Sequence, residues 1–158
     1  MAESLPDGLQ SITPHLVVKG AAEAIEFYGR AFGAEEICRL PMPGPDGQMR
    51  LGHASLRIGG SQVFLCDEFP EYGSTGPQGG SSPVTIHLHV PDADAVFERA
   101  VEAGATVTMP LADMFWGDRY GKVVDPFGHH WSIAHRLETL TANQTREKME
   151  AAMAGAPC

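Results

Sequence analysis

At 158 residues the chain has room for one domain of ordinary size, or for two fused half-size units around a shared core. Its 20 acidic and 11 basic residues give a net charge of -9 with no cluster of Lys and Arg, which argues against nucleic acid or an anionic membrane as a partner. Cys38, Cys66 and Cys158 are odd in number and show no C-x-x-C spacing, so a disulfide framework and a zinc ribbon are both excluded in favour of free thiols. No apolar run approaches the roughly 20 residues that cross a bilayer. The opening "MAESLPDGLQ" has neither a basic nor an apolar signal region, and a cytoplasmic protein is the expectation.

In chain order, "TPHLVV" (Thr13 to Val18) predicts a strand, and "GAAEAIEFYGRAFGA" a helix with Ile25, Tyr28 and Phe32 on one face, stopping at Gly33. Three strand-like runs follow, "EEICRLP", "QMRLGHASLRI" and "SQVFLCD", with "PGPDG" as a turn between the first two. The stretch "PEYGSTGPQGGSSP", residues 70–83, predicts a flexible connector. The order then repeats: "TIHLHV" (Thr85 to Val90), a helix with Asp92 as N-cap, Val96 and Ala100 inside and Gly104 as its stop, and the strands "ATVTMP", "RYGKVVD" and "HHWSIAH". Thr141 and Gln144 form a capping box before a short C-terminal helix over about residues 141–154.

Thr85 falls on Thr13 at an offset of 72, and "DPFGHHWSI" on "RIGGSQVFL" at an offset of 68. The chain is thus an α+β protein of tandem βαβββ modules, one spanning about residues 10–69 and the other about 84–137.

"AIEFYGRAFGAE", "HASLRIGG", "DEFPE", "MFWGDRYGKVVDPFGHHW" and the module order together resemble the glyoxalase/bleomycin-resistance/dioxygenase, or vicinal oxygen chelate, superfamily, in particular its PhnB-like branch. The resemblance covers about residues 10–137. It implies a cupped, partly open mixed β-barrel with helices outside and a small-molecule site in the concavity, often holding a divalent metal. The four familiar ligand positions are occupied by Thr13, Phe64, Thr85 and Ser132, none of which is a His, Glu or Asp. No metal or other cofactor is expected there, and ordinary glyoxalase I chemistry is not expected either.

Strand alternation sorts the faces independently of any family. Ile12, Leu16, Val18, Ile86, Leu88, Val90, Ala54, Leu56 and Ile58 should pack under the helices. His15, His53, His87 and His89 should then face the cup together with Leu51, and the offset of 68 carries Arg119 onto Leu51 and so into the cup as well. The run "DMFWGDRYG" adds Phe115, Trp116 and Tyr120, whose rings next to an arginine fork suit a flat or anionic ligand. His53 is the candidate general base and Arg119 the candidate holder of an oxyanion. His15, His87, Phe115, Trp116 and Tyr120 are candidate substrate contacts. The expected function is therefore a glyoxalase-like small-molecule-binding protein. It is either a lyase or isomerase that moves a proton on a small oxygenated substrate, or a sequestering protein of the bleomycin-resistance type. Two further expectations are a three-histidine metal site (His15, His53 and His87) as an alternative to no metal, and a homodimer that covers the exposed sheet edges.

Overall fold

The structure is a computed structural model that describes residues 9–155. The first half of the chain forms β1 (His15–Val18), α1 (Ala21–Phe32), β2 (Glu35–Pro43), β3 (Met49–Ile58) and β4 (Ser61–Asp67). The second half repeats it with β5 (Thr85–His89), α2 (Ala93–Ala103), β6 (Thr106–Asp113), β7 (Asp118–Val124) and β8 (His130–Arg136), and α3 (Ala142–Ala154) closes the chain. Each half makes its own four-stranded mixed sheet, ordered β1-β4-β3-β2 and β5-β8-β7-β6, with only β1–β4 and β5–β8 running parallel. No described helix is long and apolar enough to cross a membrane.

The last strand of each sheet supplies a cap for its helix. Asp67, ending β4, accepts hydrogen bonds from the backbone of Gly20 and Ala21 at 3.2 and 2.7 Å, and so satisfies donors that the start of α1 leaves open. His135, near the end of β8, does the same for Ala93 through Nδ1 at 2.9 Å, while Asp92 caps α2 from within. Thr141 and Gln144 make the expected capping box of α3.

The apolar stripe of α1 covers the first sheet over Leu16, Val18, Leu56 and Leu65, and α2 covers the second over Val123 and Ile133. The two helices also pack against each other, so one hydrophobic core serves both halves. Its centre is aromatic: the ring of Trp131 lies 4.6 Å from Phe32 and 5.5 Å from Tyr28. Burying side chains of this size stabilises by about 1.5–3 kcal/mol each. At the middle sits Asp125, a buried carboxylate that accepts from Tyr28 Oη (2.6 Å), Trp131 Nε1 (2.9 Å) and the backbone of Phe127 and His129 (both 2.9 Å). Burial and the neighbouring Asp125 push the Tyr28 phenol well above its ordinary range.

The consequence for function is geometric. Each helix packs on one face of its own sheet and against the other helix, which leaves the opposite face of each sheet uncovered, and the two sheets do not close into a barrel within the chain.

Three expectations need correction. The first strand begins at His15, not Thr13, because Pro14 lacks a backbone N–H for pairing, and Ile12 is consequently 85% exposed. The connector over residues 70–83 is partly laid down: Gly76 donates to Glu68 Oε1 (2.8 Å), and Ser82 donates to the Gly128 carbonyl (2.9 Å). Leu51 and Arg119 do not face the open side. In β3, Leu51 pairs with Pro41 and His53 with Leu40, which leaves Gly52 as an extra residue and returns Leu51 to the core. Arg119 points to α2, where its guanidinium grips Asp94 at 2.7 and 2.8 Å and Asp113 at 2.9 Å, and not the Asp118 or Asp125 that adjacency suggests.

The offset explains part of that error. Trp131 matches Val63 at 68, but their cross-strand partners Val123 and Leu56 differ by only 67, because the turn after β7 is longer than the tight turn after β3. On the corrected register Tyr120, not Arg119, reaches the open face, as the counterpart of His53.

Candidate functional site

On the outward face of the first sheet the rings of His15, His53 and Phe64 form a cluster, with centroids 6.4 Å apart for His15 and His53 and 4.9 Å for His53 and Phe64. Alternation produces it: Phe64 lies between Val63 and Leu65, and His15 and His53 each precede a core residue, Leu16 and Ala54. Leu40, the cross-strand partner of His53, remains 60% exposed on the same side. Neither His15 nor His53 has a hydrogen-bond partner among the described residues, so both imidazoles are available to a ligand. Partial burial, and then the proximity of His53, holds the His15 imidazole below its ordinary pKa and hence neutral near pH 7.

The second sheet presents a longer aromatic row. His87 stacks on Tyr120 (6.0 Å, 18° between planes), Trp116 meets Tyr120 edge-on at 5.4 Å, and Phe115 meets Trp116 edge-on at 5.0 Å. His89 lies 6.0 Å from His87 on the same strand. The His87 Nδ1 is 2.8 Å from the Ser132 hydroxyl. Burial first, and His89 second, lower the His87 pKa, against a smaller upward pull from Asp118.

The turn that carries Phe115 and Trp116 is fixed by backbone contacts. Gly117 has φ 92°, and a Cβ there would lie 2.5 Å from the Glu138 carbonyl, so only glycine lets the chain after β8 pass this close. The Leu137 amide donates to the Gly117 carbonyl at 2.9 Å and ties the turn to the end of β8.

The predicted site residues thus fall into three places. His15 and His53 share the first open face; His87, Phe115, Trp116 and Tyr120 share the second; Arg119 is on the helix side. The three-histidine metal alternative is not assembled within one chain, because His87 is on a different sheet from His15 and His53. Among the described residues the one group of three close metal-ligating side chains is Asp92, Asp94 and His135, and each is already engaged in capping α2 or pairing with Arg119. Sequence reasoning missed Ser132 as a partner of His87, and Lys122 beside it. Both follow from placing the strands side by side, which alternation within one strand does not give.

Comparison with known proteins adds three findings. The sequence signature of the Glyoxalase/Bleomycin resistance protein/Dioxygenase superfamily matches residues 8–133. A protein of Mycobacterium bovis is 49% identical over 143 residues, covering 88% of this chain and 91% of that one, and an Arabidopsis thaliana protein is 34% identical over 123 residues, covering 75% and 74%. Among solved structures, TioX from Micromonospora sp. ML1 matches with a TM-score of 0.63 at 29% identity over 81% of this chain and 99% of its own. The PhnB protein from Bacillus cereus, at 21% identity over 80% of this chain and 99% of its own, matches with a TM-score of 0.62 and shares the fold.

Proposed function

The chain belongs to the glyoxalase/bleomycin resistance protein/dioxygenase superfamily, a small-molecule-binding fold, and we propose that it binds a flat small molecule between two copies of itself. In this arrangement the first sheet of one copy faces the second sheet of the other, which makes two equivalent cups per homodimer. The observation that supports it is the pair of ring clusters on the outward faces: His15, His53 and Phe64 on one sheet, and His87, Tyr120, Trp116 and Phe115 on the other. Rings in a row offer faces and edges to a planar ligand, and a half-exposed apolar surface of this kind is stabilised when covered. Free Cys38 and the buried Cys66 suit a reducing compartment such as the cytoplasm.

Sequestration is the form of binding that the geometry favours. Arg119, the residue expected to hold a developing oxyanion, is instead held on the helix side by Asp94 and Asp113. The family's metal positions do not fit a divalent ion either: Thr13, Thr85 and Ser132 offer hydroxyls, Phe64 a phenyl ring, and the Ser132 hydroxyl is already bonded to His87. A second reading, proton transfer with His53 as general base, draws on the absence of any hydrogen-bond partner for that ring among the described residues.

Titration with a panel of planar aromatic compounds and small carbonyl compounds separates the two readings. Saturable binding is the expected result, with every compound of the panel, none of them an ester, recovered unchanged. Conversion of a bound carbonyl compound that stops in His53→Ala would replace sequestration with catalysis, and no saturable binding across the panel would remove both.

A further inference from the structure

We propose that Ser132 and His87 form a nucleophile and base pair that accepts an acyl group from small activated esters. Ser132 lies in mid-β8 between Trp131 and Ile133, both turned into the core, so its side chain is directed to the open face. Its hydroxyl is 2.8 Å from His87 Nδ1, a distance at which a neutral imidazole takes the hydroxyl proton as attack begins. The register places His87 on one side of Ser132 and Lys122 on the other. The stack of His87 on Tyr120 fixes the plane of the imidazole, as a base needs if it is to meet the hydroxyl repeatedly in one geometry. Ser132 is 2% exposed, so the acyl group must be small. A planar leaving group would rest on Tyr120 and Trp116, and in this respect the inference rests on the proposed pocket.

The step balances within the pair and the ester. The Ser132 oxygen bonds to the acyl carbon, the bond from that carbon to the aryl oxygen breaks, and the hydroxyl proton passes to His87 and then to the departing phenolate. Water then releases the acyl group as the carboxylic acid by the same path in reverse, with His87 again receiving the proton.

The test uses para-nitrophenyl acetate on the full chain, with intact mass and peptide mapping. One acetyl group on the peptide containing Ser132 is expected, with its rate of formation lowered about 100-fold or more in His87→Gln. Ser132→Ala should lose that adduct. Ser132→Cys, which keeps a small nucleophile at the same place if the alanine variant folds poorly, should be acylated at a rate that still depends on His87. Acetylation confined to lysines or to Cys38 and Cys66, or a Ser132 adduct indifferent to His87→Gln, overturns the proposal. Separate titration with the planar dye anilinonaphthalene sulfonate keeps the two ideas apart. Dye binding without acetylation removes the nucleophile alone, and acetylation without dye binding supports the nucleophile and removes the planar-ligand pocket.

Discussion

The two faces of each sheet obey the same alternation but have opposite fates. On the helix side Val18, Leu56, Leu65, Val123, Trp131 and Ile133 are 0–1% exposed, and Asp125, the polar hub there, has every oxygen engaged. On the outward side His15, His87 and His89 remain exposed, and His53, Phe64, Trp116 and Tyr120 are half-buried at most. A chain that needed only to fold would have no use for rings and unpaired imidazoles in water. The contrast supports the reading that one side holds the fold and the other a ligand, and it can be broken from either direction.

The largest effect is expected on the sealed side. Asp125→Ala leaves the Tyr28 hydroxyl, the Trp131 indole N–H and two backbone amides without their acceptor, which should cost roughly 3–5 kcal/mol by urea unfolding. A loss below about 1 kcal/mol would mean that the joint between the halves does not depend on this carboxylate.

A middle effect is expected on the open side. Trp116→Ala should cost no more than about 1–2 kcal/mol, well below the roughly 3–5 of a core tryptophan, and yet abolish binding of a planar dye. Arg119→Lys is its control: it should leave dye binding unchanged and stability within about 1 kcal/mol, because the Arg119 pairs are half in water. Unfolding by Trp116→Ala, or loss of dye in Arg119→Lys, would move Trp116 to the structural side or return Arg119 to the pocket.

How much of this was legible in the sequence depends on how far apart the interacting residues are. Period-two alternation put His15, His53, His87 and His89 on the strand faces turned away from the helices, though not in one shared cup, and local capping signals placed α3, because both depend on near neighbours. The facing of Leu51 and Arg119 was not legible. A bulge at Gly52 and a turn that differs in length between the modules each shift the pattern by one residue, and one residue flips a strand side chain to the opposite face. Nor could the sequence show that α1 packs across onto Trp131 and Asp125, since Tyr28 and Asp125 are 97 residues apart.

The smallest effect is on pH dependence. His15 and His87 have folded-state pKa values below the ordinary value of about 6.5, so as the pH falls through that value the unfolded chain takes up protons before the folded one. The stability contributed by keeping them neutral is complete above about pH 6.5 and is lost below it. The melting temperature should therefore fall between about pH 7 and about pH 5.5, and fall less in a His15→Asn, His87→Gln double variant. Equal slopes in the two proteins would show that these imidazoles are not held neutral by their surroundings.

If one cup draws its two walls from different copies, subunit complementation restores it. His53→Ala damages the first-sheet wall and Trp116→Ala the second-sheet wall, so neither homodimer should bind anilinonaphthalene sulfonate at wild-type affinity. When the two variants are refolded together, the mixed dimer pairs an intact first sheet from one chain with an intact second sheet from the other. Recovery of one wild-type-affinity site per mixed dimer is the expected result. No recovery, in a mixed dimer whose formation is confirmed by mass, would contradict the account.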